Sequence, residues 1–471
     1  MSVLVLLASI LPWTFGGFLG YLLSAKFCVS RLFSAGLCSL ASWLLFGATI
    51  VLLDRLGILS FRDLVGILIF GHVTIFVVTA TTCLEKGTHK VTSSRFTQFR
   101  PVPVIVAVVL CLYLFIDLYH LFLVPLQAWD GLDFWAQHSY AFGVHAVDGH
   151  ATSYAFEQRH PLTLSASMGY SAIFGALTNF DGWKLGWILP SLSGFLILIG
   201  LGRTLQFDIF SRSTSVLLLL TLPLLENHLL GPSYSEPVMV AISVGISAMI
   251  CLGLATRANL WVLGGFLCLP AFMLIRNTGP FYAAVFLAGG ALFLLLYSSK
   301  SVRFAVATVC MAFVLSLMSV CYVECSIESL NFSAAIGDGT ITLGTKALSF
   351  GERSLDEVLW AEFVAYIVNS SYSVLLLVLA ISCVSTLCWG GGGYGVPLKK
   401  SRAQAFLECS ILIGGLGLLV SLFSEYGANH GFPDTDTGHS RFLLPILSII
   451  PTLFGFLCEN DRLKTAKVSI E

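Results

Sequence analysis

Apolar runs of about twenty residues recur along this chain with only short polar breaks between them, and no other feature limits its fold as strongly. A bilayer's hydrocarbon core is about 30 Å thick, and a helix needs about 20 apolar residues to cross it. Backbone N–H and C=O groups find no water there, so each such run must satisfy its own hydrogen bonds as a helix. Runs of this kind lie at 3–24, 32–53, 61–82, 103–124, 183–204, 213–230, 236–255, 259–275, 279–298, 303–322, 371–388, 405–424 and 441–458, and no polar block of domain size interrupts them. The composition agrees: 56% of the 471 residues are hydrophobic and 11% charged, with a mean hydropathy of +0.88. That leaves too little polar surface to clothe a water-soluble globule.

The expectation is therefore an all-α polytopic membrane protein with about 13 transmembrane helices. Its organisation reads as N-terminal spans over 1–124, a large outer loop over 125–182, and the remaining spans over 183–471, which include a second outer loop at 323–370. The opening stretch "MSVLVLLASILPWTFGGFLGYLL" has no basic flank and is too long for a signal-peptide core, so it reads as a retained first span. A net charge of −1 without a clustered basic face speaks against nucleic acid as a partner.

Basic residues orient the spans. With the N-terminus outside, 17 of the 25 Lys and Arg residues fall in inner loops: Lys26 and Arg31; Lys86, Lys90, Arg95 and Arg100; Arg203 and Arg212; Arg257; Lys300 and Arg303; Lys399, Lys400 and Arg402; and Arg462, Lys464 and Lys467. The remaining 8 are outside, the asymmetry that membrane insertion favours. The apolar stretch 161–180 has no spanning role in this scheme, because crossing would put every later basic loop on the wrong side. It reads as an interfacial or re-entrant helix, and the aromatic, histidine-bearing stretch 133–146 as a second interfacial helix.

The outer side then holds the chemically interesting residues. "WDGLDFW" at 129–135 sets Asp130 and Asp133 between tryptophans just past a span, where a carboxylate near hydrocarbon is costly and points to function. Asp133 lies one helical turn from Asp130 and serves either as its helper or as a cap. Glu236 in "SYSEPVMV" precedes Pro237 at a helix start, so it suits both a capping and a functional role. Arg159, His160, Arg276, His439 and Arg441 are scarce outer cations at the mouths of spans, suited to a phosphate or diphosphate headgroup, or to snorkelling at the interface.

Oxygen ligands from Asp130, Asp133 and Glu236 would suit a hard divalent cation such as Mg2+ or Mn2+. The spacing of His138, His145, Asp148 and His150 matches no zinc pattern. The cysteines sit mostly in apolar runs as small hydrophobes; Cys321 and Cys325 could be either bridged or packed thiols. Sequons begin at Asn331 and Asn369. "WGGGGYG" at 389–395 lacks the context of a phosphate-binding loop and reads as a linker.

These residues carry a resemblance. "WDGLDFWAQHSYAF", followed by "EQRHPLTLSASMGYSAIFGA", resembles the first outer loop of GT-C-type polyprenyl-phosphate-sugar glycosyltransferases. In the protein O-mannosyltransferases of that group the acidic motif is Asp-Glu; Asp130 matches the Asp, and Gly131 stands where the Glu would be. "GPSYSEPVMVAISV" resembles the second acidic site of the group, "LIRNTGPFYA" a Lys/Arg-Asn-x-Gly turn, and "HSRFLLPILSIIP" a late Arg-containing span. The likeness runs in order over residues 125–450 and leaves the first three spans uncovered.

It implies inverting sugar transfer at the periplasmic or luminal face, from a polyprenyl-phosphate sugar to the hydroxyl of a glycan, lipid or protein acceptor. Asp130 would be the general base, Asp133 and Glu236 would orient the acceptor or a metal, and Arg276 and Arg441 would stabilise the departing lipid phosphate. A bacterial inner membrane is the expected location, in preference to the endoplasmic reticulum. Two alternatives stay open: a secondary transporter or flippase, with Asp117 as the mid-span carboxylate, and an oligosaccharide polymerase or ligase using a lipid-diphosphate donor.

Overall fold

The computed structural model describes residues 10–55, 185–220, 235–276, 279–297, 334–337, 340–343, 346–349, 402–422 and 445–459, together with isolated positions elsewhere. Helix dominates them. The elements in chain order are α1 (Leu11–Leu23), α2 (Arg31–Arg55), α3 (Leu185–Thr204), α4 (Ile209–Leu220), α5 (Glu236–Thr256), α6 (Asn259–Leu267), α7 (Pro270–Ile275) and α8 (Gly279–Tyr297), then strands β1 (Ala334–Gly337), β2 (Thr340–Leu343) and β3 (Lys346–Ser349), then α9 (Arg402–Leu422) and α10 (Ile449–Glu459). Prolines open several helices, at Pro12, Pro237, Pro270 and Pro280, where the missing N–H has no intrahelical partner to lose. The expected spans at 61–82, 103–124, 303–322 and 371–388 lie outside the described residues, apart from isolated helical positions such as Phe70 and Phe115.

Two helices, Arg31–Leu52 and Glu236–Thr256, are long and apolar enough to cross a membrane by length and composition. At 1.5 Å rise per residue their 22 and 21 residues extend about 33 and 31 Å, close to the hydrocarbon thickness. The expected single span 259–275 is divided into α6 and α7, because Pro270 cannot donate to the helical ladder. Bonds from Leu269 N to Phe266 O (3.2 Å) and from Ala271 N to Cys268 O (3.0 Å) carry the chain across this break in tighter turns.

The chain forms two compact units, Met1–Leu217 with His228–Ala241, and Leu218–Asn227 with Ile242–Glu471. In the first, α1 runs antiparallel to α2, and α2 antiparallel to α3. A Cβ on Gly20 would overlap the Ser34 carbonyl, and one on Gly200 would overlap the Phe33 backbone, so these helices touch backbone to backbone. Trp13 Nε1 donates to Ser193 Oγ at 2.8 Å and ties α1 to α3 directly. The α1–α2 turn reaches α3 as well, through Ser30 N donating to Thr204 Oγ1 at 2.9 Å.

Within the second unit, α8 and α9 pack antiparallel: Gly289 lies against Ser410, and Gly417 against Phe281. Phe406 joins Phe266, Phe286 and Phe293 at centroid distances of 6.3 to 6.5 Å. Ser243 donates to the Pro445 carbonyl, and Gly414 faces Ile446, which binds the last helical segment to α5 and α9. Residues Cys251, Arg257, Val262 and Ala403 therefore gather at one end of the unit, and Phe272, Gly279, Gly417 and Pro445 at the other.

A short antiparallel sheet of order β1-β2-β3 lies in the loop 323–370 and departs from the all-helical expectation. Ile336 pairs with Ile341, which in turn pairs with Leu348. The two connections read Asp-Gly and Gly-Thr, the glycine-containing dipeptides that two-residue hairpins favour.

Gly20→Ala is expected to lower the unfolding midpoint of the detergent-solubilised protein, since overpacking a close contact costs roughly 1–3 kcal/mol. Gly264→Ala, whose Cβ would meet nothing within 4 Å, should leave the midpoint unchanged or raise it. A thermal scan of both variants checks the pair.

Candidate functional site

Of the eight residues expected to form the site, Glu236 and Arg276 are described; Asp130, Asp133, Arg159, His160, His439 and Arg441 lie outside the described residues. So do Asp117, His138's histidine-rich neighbourhood, Cys321, Cys325 and both sequons. Glu236 belongs to the first unit and Arg276 to the second.

Glu236 is the first residue of α5, and Met239 N donates to the Ser235 carbonyl at 3.1 Å to start the helix there. The positive end of the helix dipole favours a carboxylate at this position. Burial separates the residue from an ordinary cap: Glu236 is 2% exposed and Ser235 fully covered. A cap that only satisfies helix N–H groups works equally well in water, whereas a buried carboxylate is held at a desolvation cost.

Arg276 caps α7 with an extended backbone (φ −149°, ψ 150°). Its N–H donates to the Phe272 carbonyl at 3.3 Å, and its own carbonyl accepts from Gly279 N at 2.9 Å. These bonds fold the chain sharply from α7 into α8. Residue 279 has to be glycine, because a Cβ would strike the Phe272 carbonyl. Phe272 then stacks on Phe286 at 5.9 Å and leans on Tyr282 at 5.8 Å, forming an aromatic wall behind the turn. Arg276 itself is 7% exposed.

A guanidinium carries five donors in a planar fork. Three residues further on α8 begins, and the positive end of its dipole adds a second anion-favouring feature to the turn. It lies at the end of the second unit opposite exposed Arg257 and Arg402. The charge asymmetry of the sequence calls for the same division of these three arginines.

A further polar pair was not among the expected site residues. Gln404 Nε2 donates to Glu408 Oε1 at 2.9 Å, one helical turn apart on α9, with both side chains 2% exposed. The signal for it was present in "AQAFLECSILI", where Gln and Glu at i,i+4 interrupt an apolar run. Hydropathy averaging over the window hides such a pair. Among the described residues no three His, Cys, Asp or Glu side chains gather as metal ligands, and Glu236 is the one described member of the expected oxygen set.

No family model, curated protein or solved structure matches the chain.

Glu408→Leu should destabilise the protein by about 1–3 kcal/mol, because it removes an acceptor from a buried amide. Glu408→Gln keeps an oxygen for Gln404 and should cost less. Chemical or thermal unfolding of the two variants side by side measures the difference.

Proposed function

We propose that this protein is a multi-pass membrane glycosyltransferase of GT-C type, which moves a sugar from a polyprenyl-phosphate donor to an acceptor hydroxyl at the outer face of a bacterial inner membrane. The observation that carries this reading is the buried Arg276, set in the sharp α7–α8 turn beside a helix N-terminus, at the end of its unit away from Arg257 and Arg402. A buried cation at a span mouth suits a lipid-borne phosphate. The ordered likeness of the motifs at Asp130, Glu236, Arg276 and Arg441 supplies the rest.

In the reaction, the acceptor oxygen attacks the anomeric carbon on the face opposite the phosphate, and its proton passes to Asp130. The bond from the anomeric carbon to the phosphate oxygen breaks, and the lipid phosphate leaves with the electron pair. Arg276 and Arg441 stabilise that growing charge. Asp133 and Glu236 orient the acceptor, or hold a divalent cation that would supply charge neutralisation at the phosphate. The burial of Glu236 favours such a positioning role over a solvated cap.

The secondary transporter keeps one observation in its favour, the Pro270 break between α6 and α7, since transporters build sites on interrupted helices. If Asp117→Asn abolished function while Asp130→Asn did not, that reading would replace the transferase. A lipid-diphosphate-dependent polymerase or ligase would be recognised by its preference for diphosphate over monophosphate donors.

In purified enzyme with a polyprenyl-phosphate sugar, Asp130→Asn should reduce transfer by about 10²- to 10⁴-fold, the range general-base catalysis contributes. Near-wild-type transfer would remove Asp130 as the base. Separately, Arg276→Gln should reduce kcat/KM by about 10²-fold or more, the scale of losing one charge-stabilising donor. An unchanged value would detach Arg276 from the donor phosphate.

A further inference from the structure

Thr452 departs from the other threonines of the described helices. Thr14, Thr49, Thr204 and Thr256 each donate to the carbonyl four residues back, at 2.7 to 3.3 Å, the usual way a helix absorbs a hydroxyl. Thr452 Oγ1 makes no hydrogen bond, although the residue is 1% exposed. A buried hydroxyl in that condition is costly, and a ligand that meets it removes the cost. The helix that carries Thr452 is also interrupted: residues 445–447 are helical, Ser448 forms a turn, and α10 resumes at Ile449. Pro451 has no N–H to offer the Leu447 carbonyl, which breaks the ladder at that point.

Contacts within the second unit give the height of Thr452. At one end Cys251 Sγ donates to the Ala403 carbonyl at 4.0 Å. Towards the other end the Pro445 carbonyl accepts from Ser243 Oγ, and Ile446 meets Gly414. Between these contacts α5 and α9 run antiparallel. Ser247 stands four residues from both Ser243 and Cys251, and Glu408 five from Ala403 and six from Gly414, so both lie at mid-height. Residues 445–453 are buried throughout and α10 packs on α9. Beyond Gly414, α9 is exposed at Gly415 and Leu416, so the buried segment runs back towards Ala403. Thr452, six residues past Ile446, then comes level with Glu408, six before Gly414. The α6–α7 break approaches the same stretch of α5, since a Cβ on Gly265 would near the Ile246 carbonyl.

Glu408 is already partnered, by Gln404 Nε2 at 2.9 Å among others. The requirement for a ligand therefore comes from Thr452, and Glu408 sets the sign of its charge. Ser247 Oγ donates to the Val244 carbonyl at 3.1 Å, which leaves its lone pairs for a cation. A single carboxylate among hydroxyl and carbonyl oxygens suits a hard monovalent ion, because a divalent one collects several carboxylates. Interrupted helices are where membrane proteins hold such ions.

We propose that Glu408, Thr452 and Ser247, with backbone carbonyls at the Ser448 interruption, form a sodium-ion site at mid-height of the second unit. The site is distinct from Arg276 at the end of that unit, and ion binding is measured without any transfer assay, so this proposal and the transferase reading fail separately.

The test uses the full chain in nonionic detergent, with sodium exchanged for N-methylglucamine at constant ionic strength. Sodium should raise the unfolding midpoint of wild type saturably, as a ligand of the native state does, and radiolabelled sodium should bind with the same affinity. Glu408→Gln should weaken binding about tenfold or more and Thr452→Val about fivefold, the scales of losing a charged and a neutral ligand. Thr452→Ser should bind like wild type. In sodium-free buffer Thr452→Val should unfold no earlier than wild type, because it only removes a hydroxyl that has no hydrogen bond; this separates lost binding from lost folding. Ser39→Ala, at a buried hydroxyl of the first unit, should leave sodium binding unchanged. An equal midpoint in the two salts, undiminished sodium binding in Glu408→Gln or Thr452→Val, or an equal loss in Ser39→Ala would overturn the proposal.

Discussion

Helix α2 lies against α1 on one side and α3 on the other with almost no side-chain layer between the backbones, because glycines stand where the helices cross. In hydrocarbon, apolar side chains gain little by leaving lipid for protein, so close van der Waals packing and hydrogen bonds must hold helices together. Gly20 and Gly200 provide the approach, and the bonds from Trp13 to Ser193 and from Ser30 to Thr204 fix the register. The directions of α1, α2 and α3, and with them the end at which their charges appear, follow from these few contacts. The second unit repeats the device where Gly289 meets Ser410, and adds an aromatic cluster around Phe406.

Charge then divides along the helices. In the first unit the α1–α2 and α3–α4 turns collect Lys26, Arg31, Arg203 and Arg212 at one end. In the second unit Arg257 and Arg402 share an end, and Arg276 lies buried at the other. The exposed cations lie at or next to helix ends. The buried one lies beside the packed Phe272 and Phe286 rings and the close approach of Gly279 to the Phe272 carbonyl.

Much of the helical layout was legible along the chain. Apolar run length marked α2, α5 and α8 to within a residue or two, and Glu236-Pro237 announced the start of α5. Other features gave weaker signals. Pro270 divided an expected span because one missing donor outweighs a favourable hydropathy average. The hairpins of 334–349 carry an Asp-Gly signal at their first connection, which a reading by apolar run length passes over. The Gln404–Glu408 pair escaped notice because two polar residues are lost within a strongly apolar window.

By itself the sequence determined that the chain folds as apolar helices, where many of them begin, and that its basic residues are unevenly distributed between the connecting loops. Run length, proline position and charge are properties of consecutive residues, so a linear reading reaches them. Tertiary structure alone decided that Glu236, Arg276 and Glu408 are buried, and that Ser30 and Thr204, 174 positions apart, bring two basic turns together. A helix that is apolar on every side carries no stripe to say which face meets protein. Only the packing of glycines and hydroxyls against neighbouring backbones supplies that choice.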